Sequence, residues 1–297
     1  MTTTSNTALN KPLEGDPMDS SIGSRGMKDY IEIRGGRASI VRSVPDSLNC
    51  SWEESYAGKC FKHPYYQLIQ RTRGEQFDHY FLILEKSDGK SFVQPLFLAR
   101  ESLLKGLPSS LKQGLGGWLQ RWFPSRCEIR MLMVGCSTGE GTLAGKECDH
   151  TDVSMLLHQA LPKAARRLKA SLIVLKDFPS SYRAALKFFS ANGYARIPSF
   201  PACRIDLAYR DFEDYMERTL SYKTRKNLRR KFRDADRLGK FSMEVLKDFT
   251  PVLDEIYPLY RQVITHSKFQ FEVLTIEYFA GLATALEGMG RFFVWRD

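Results

Sequence analysis

Glu128-Ile-Arg-Met-Leu-Met-Val134 runs straight into Gly135-Cys-Ser-Thr-Gly-Glu-Gly141, and the residues on either side of this stretch settle the fold class. The first seven residues are mostly apolar and read as a strand. The three glycines after it let the chain turn sharply and bring its backbone close to a neighbour or a ligand. Downstream, Asp152–Lys169 puts Val153, Leu156, Leu157, Ala160, Leu161, Ala164 and Leu168 on one helical face. Ser171–Leu175 is wholly apolar after its serine, the pattern of a strand covered on both faces. Ser181–Ala191 predicts a short helix stopped by Asn192-Gly193. Strands alternating with helices in this order imply a sheet with helices on its faces.

Upstream the pattern is antiparallel. Tyr30–Ile33 and Ala38–Val44 alternate around Gly35-Gly36, and His79–Glu85 with Ser91–Leu98 flank the turn Ser87-Asp88-Gly89. Between them Ser51–Arg73 has helical spacing that Pro64 must interrupt. Residues 100–127 are broken by Pro108, Gly114, Gly116, Gly117 and Pro124, which predicts an irregular excursion. Tyr194–Ile197 and Ala202–Leu207 predict two further strands around Pro198 and Pro201. Residues 27–209 therefore read as one mixed α/β sheet flanked by helices, after a tail, 1–26, too poor in apolar residues to order itself. Beyond it, Asp211 and Ser221 are placed to cap helices reaching Leu220 and Leu238. Phe241–Leu246 and Arg291–Trp295 read as strands, and Pro251–Thr265 and Thr275–Leu286 as helices. Two strands make a poor sheet, and no later segment supplies a partner for the last one, so 210–297 is expected to be an incomplete second domain opening with a basic helix.

The 297 residues carry 44 Lys and Arg against 34 Asp and Glu, a formal charge of +10, and 43% are apolar. That is the balance of a folded, basic protein. No apolar run nears the ~18 residues of a membrane span, and Met1–Thr7 lacks the features of a secretory signal. Six cysteines are scattered without a Cys-x-x-Cys, so no metal is expected and a reducing cytoplasm is. Lys223, Arg225, Lys226, Arg229, Arg230, Lys231 and Arg233 come with no acid among them, while Leu228, Phe232 and Ala235 share an apolar stripe. Arg225, Arg229 and Arg230 are the expected contacts to substrate phosphates, and a merely solvated face is the bland alternative. No helix-turn-helix or finger pattern accompanies them, so a DNA partner is not expected.

Several chemistries compete for the glycine loop, whose Gly135, Ser137, Thr138, Gly139 and Gly141 are the candidate cofactor contacts. A Walker A loop would need glycine at Glu140 and Ser or Thr at Glu147. A dinucleotide site fits Gly139-x-Gly141-x-x-Ala144, but Asp177 lies 38 positions past Gly139 where about 20 is usual. Val134–Leu143 also looks like the first motif of S-adenosylmethionine-dependent methyltransferases, with Met133 where an acid is usual. A plain tight turn is the remaining alternative. The element order, with Ala184–Phe189 leading to Gly193-Tyr194, resembles the acetyl-CoA-binding GNAT fold, although that superfamily's Arg/Gln-x-x-Gly-x-Gly/Ala signature is absent.

Leu175-Lys176-Asp177, Gly193-Tyr194, Phe212-x-x-Tyr215 and Leu220-Ser221-x-Lys223-x-Arg225-x-x-Leu228-Arg229-Arg230 are similar to the FemAB-related branch of that superfamily. So are Tyr260-Arg261-x-Val263 and Phe271-Glu272-x-Leu274-Thr275-x-Glu277-Tyr278-Phe279. The resemblance implies two GNAT-like domains in tandem, the second cut short, and transfer of an acyl or aminoacyl group to an amine. It implies acetyl-CoA or another acyl-CoA as donor, or aminoacyl-tRNA instead, and a small or peptidoglycan-precursor-like amine as acceptor. A phosphorylated-ligand or RNA-binding module using the basic helix is the non-catalytic alternative, and a methyltransferase the third. Glu140, His150, Asp177 and His266 are candidate bases, but no catalytic residue is assigned, and Cys136 has no sequence-local His to activate it.

Overall fold

The strand ending at Val134 sits where an antiparallel sheet turns parallel. The computed structural model describes residues 30–57, 62–73, 76–102, 128–199, 205–239, 242–267, 271–286 and 289–296. Six strands lie side by side in chain order: β1 (Ile31–Ile33), β2 (Gly36–Val41), β3 (Asp78–Lys86), β4 (Ser91–Ser102), β5 (Glu128–Val134) and β6 (Leu172–Leu175). Each pairs antiparallel with the next until β6, which runs parallel to β5 with Val134 opposite Leu175. A parallel pair needs a crossover, here α3 (His150–Arg167).

β3 is apolar on both faces because both are covered. Tyr80, Leu82 and Leu84 join Val153, Leu157, Ala160 and Leu161 of α3 and Phe189 of α4 (Arg183–Ala191). On the other face Phe81 and Val93 meet Trp52 of α1 (Asn49–Ser55) and Tyr66, Leu68 and Ile69 of α2 (His63–Arg73). Pro64 stands in the first turn of α2, where its missing N–H costs nothing.

The later elements are α5 (Phe212–Thr219), α6 (Tyr222–Leu238), β7 (Ser242–Leu246), α7 (Leu253–His266), α8 (Ile276–Ala285) and β8 (Phe292–Arg296). Phe249, Leu253, Tyr278, Leu282 and Ala285 from this part enter the same apolar cluster as Trp52, Tyr66 and Ile69. At the crossing of α8 and α2, a Cβ on Gly281 would collide with Leu68.

The mixed α/β class and the order of elements from Tyr30 to Ala191 are as the sequence implies. Other expectations change. No strand forms over 194–199 or 205–208, which run irregular and mostly exposed. Pro198 has no N–H to give a ladder and restricts the residue before it. β6 is the last strand of the sheet among the described residues, with Leu172 exposed, so its unbroken apolar run does not mean cover on both faces. The two later strands pair with each other, β8 antiparallel to β7 with Met243 opposite Trp295. The expected tail, 1–26, and residues 103–127 of the expected excursion lie outside the described residues, while 100–102 complete β4.

Candidate functional site

The glycine loop is tied to both neighbouring strands. Gly135 takes φ +117° and Gly139 φ +146°, values that side chains resist. The Gly135 N–H donates to the Pro95 carbonyl on β4 and the Gly141 N–H to the Asp177 carbonyl just past β6, each at 3.0 Å. A Cβ on Gly141 would lie 2.6 Å from the Phe178 ring, so only glycine permits this closure. Gln94, fully buried on β4, clamps the second half of the loop. Its Nε2 donates to the Thr142 carbonyl and its Oε1 accepts from the Ala144 N–H, both at 3.0 Å.

Polar groups from distant elements converge on the first half. The Tyr65 hydroxyl of α2 donates to the Thr138 carbonyl at 2.7 Å and lies 2.9 Å from the Tyr278 hydroxyl of α8. With the Tyr65 hydrogen on Thr138, Tyr278 is the donor between the two rings. The Thr138 hydroxyl donates to Glu272 Oε2 at 2.7 Å. Lys176 Nζ donates to the Gly139 carbonyl at 3.3 Å, pairs with Asp177 at 2.9 Å, and lies over the Phe271 ring. Beneath them His79 Nε2 is 3.1 Å from Ser137 Oγ, both groups buried. Burial pushes the Tyr65 and Tyr66 hydroxyls well above the ordinary range, so both stay protonated. Burial likewise lifts the Cys136 thiol to about 12, which makes it a poor nucleophile near neutral pH. At Asp177 burial acts upward, but hydrogen bonds from Lys176 and Ser199 outweigh it and hold the carboxyl below its usual range.

Of the expected loop contacts, Thr138 stands at the centre of this cluster, Ser137 is buried on His79, and Gly135, Gly139 and Gly141 shape the turn. The candidate bases do not gather there. Glu140 is exposed, His150 packs on the Tyr182 ring at 4.9 Å, and His266 Nδ1 sits 2.7 Å from the Gln262 carbonyl one turn back. Asp177 reaches the loop through its main chain. Met133, where a methyltransferase strand carries its acid, is buried with Phe77 and Phe97. Arg225, Arg229 and Arg230 stand on α6. The Arg225 guanidinium donates to the Leu220, Glu217 and Met216 carbonyls at 2.6, 3.4 and 3.5 Å, Arg229 pairs with Glu213, and Arg230 donates to Asn227 Oδ1.

The sequence singles out none of Tyr65, Gln94, His79, Glu272 and Tyr278 as a site residue. Gln94 and His79 did leave a signal, as polar residues inside apolar strands. What the cluster can hold is an anion. The backbone N–H groups of Ser137, Thr138, Gly139 and Glu140 donate to no backbone acceptor among the described residues. They share the loop with the Thr138 hydroxyl and the Lys176 ammonium, and the Glu272 carboxylate is the anion now seated on that hydroxyl.

No family model matches the chain, and no curated protein or solved structure is similar to it. Among the described residues no helix is long and apolar enough to cross a membrane, and no group of His, Cys, Asp and Glu could hold a metal ion.

Proposed function

We propose that this chain is an N-acyltransferase of the GNAT and FemAB-related kind, working in the cytoplasm and moving an acyl group from a coenzyme A thioester to an amine. Two strands, two helices, three antiparallel strands, a crossover helix and a parallel strand is the order such a scaffold needs. The observation that carries the reading is the loop at the carboxyl end of β5, where the sheet changes from antiparallel to parallel. Backbone N–H groups that a tight turn leaves without main-chain partners suit an anion. There the Thr138 hydroxyl already holds a carboxylate, that of Glu272.

Thr138, the N–H groups of 137–140 and Lys176 would hold the phosphates of the donor, whose thioester supplies an activated carbonyl. Tyr65, itself held by the Tyr278 hydroxyl, fixes the Thr138 carbonyl and so helps aim the Thr138 hydroxyl. Glu272 must leave that hydroxyl before a phosphate can take it, because two anions cannot share one donor. Titration calorimetry with coenzyme A tests the reading. Thr138→Val with Lys176→Ala should abolish the heat of binding. Glu272→Gln, which removes the competing charge, should tighten binding about tenfold (~1.4 kcal/mol). Absence of binding to the unaltered chain and to Glu272→Gln alike would refute it.

A further inference from the structure

α6 spans 17 residues and none of them is buried. A helix of a globular body ordinarily buries one stripe. This one leans on α5 through Phe232, whose ring lies 5.9 Å from that of Phe212, and through Arg225 and Arg229, whose guanidinium groups donate to the Met216 and Glu217 carbonyls and pair with Glu213 of α5. The other side is different. Lys223, Lys226, Arg230, Arg233 and Arg237 recur at alternating steps of three and four residues. That spacing keeps them in a single file about 21 Å long at ~1.5 Å per residue. Lys223, Lys226 and Arg233 make no ion pair among the described residues, and Arg230 donates to a neutral amide. Arg237 alone in the file has an acid, Asp234 at 3.7 Å. Beside the first turn of the file the Tyr222 ring is 72% exposed.

We infer that α6 is a docking surface for single-stranded RNA, gripped by its phosphates along the file, with Tyr222 as a platform for one unpaired base. A straight file of cations complements one phosphodiester strand, and an exposed ring beside it offers the stacking that single strands use. A lipid surface fits less well. The apolar stripe of Leu228, Phe232 and Ala235 lies opposite the file and partly against α5, so the helix cannot sink that stripe while its cations meet headgroups. No residue of this surface belongs to the glycine loop, so RNA docking and acyl transfer stand or fall separately.

The test is anisotropy of a labelled 12-nucleotide oligouridine titrated with the full chain at several KCl concentrations. Four to five neutralised phosphates give a slope of log K on log salt near −3, about a 60-fold loss between roughly 0.05 and 0.2 M. Lys226→Ala, Arg230→Ala and Arg233→Ala combined should reduce the slope to about −1 and weaken binding roughly tenfold or more at low salt, with helix content by circular dichroism unchanged. Tyr222→Ala should weaken binding about fivefold or more and leave the slope as it was. The inference falls if the triple variant keeps its helix and its affinity, if binding ignores salt, or if a duplex or phosphatidylserine vesicles are preferred to the single strand.

Discussion

Gln94 shows how one side chain can set a loop. Its amide is fully buried and answers two main-chain groups of the same segment, the Thr142 carbonyl and the Ala144 N–H. Leucine has nearly the same volume, so Gln94→Leu would open little space, yet it would strand a buried acceptor and a buried donor. Each stranded group costs about 1–3 kcal/mol, which predicts a loss of roughly 2–4 kcal/mol in urea unfolding. A loss under about 1 kcal/mol would mean that the loop finds other partners, and the clamp would then be incidental. Serine and threonine act differently here. Ser137 is turned inward onto His79, while Thr138 one residue later meets Glu272 from far along the chain. The alternation of side chains between neighbouring residues thus separates a structural hydroxyl from one that can meet a ligand.

At the scale of elements, α6 illustrates what sequence dictates. Ser221 accepts from the Thr224 N–H at its start, and Gly239, with φ +141°, ends it. Because none of the residues of α6 is fully buried, its stability rests largely on local terms. Ser221→Ala should therefore cost about 1 kcal/mol of helix stability and fray the first turn, seen as faster hydrogen exchange at Tyr222–Arg225. Unchanged exchange there would show that packing on α5 holds the helix instead. The caps at Asp211 and Ser221 and the strand at Glu128–Val134 were legible because each depends on residues close together in the chain. The strand expected over 194–197 was not, since Pro198 obstructs the pairing that a partner edge must supply, and of the one expected over 202–207 residues 205–207 run irregular while 202–204 lie outside the described residues. The candidate site was legible in its loop and illegible in its lining. Thr138 and Glu272 are 134 residues apart, Tyr65 and Tyr278 are 213 apart, and no local period links them.

Over the whole molecule, the apolar cluster beneath the loop joins the two parts of the chain that the sequence divides near 209. Trp52, Tyr66 and Ile69 from the first part pack with Phe249, Leu253 and Leu282 from the second, and the polar contacts Tyr65–Tyr278 and Thr138–Glu272 cross the same boundary. Phe249 is completely buried, with its ring 3.4 Å from that of Phe292 on β8. Truncating a buried phenylalanine costs about 3–5 kcal/mol, because the transfer free energy is lost and a cavity remains. A two-stranded ribbon such as β7–β8 is barely stable by itself, so its persistence depends on this docking. Phe249→Ala should therefore lower one common unfolding transition, and hydrogen exchange should show α2 and β7 losing protection together. If instead β7 and β8 exchange freely while α2 keeps its full protection, the two parts unfold separately. Thr138 would then lose Glu272 without the sheet being disturbed, and the loop would open to an anion by undocking alone.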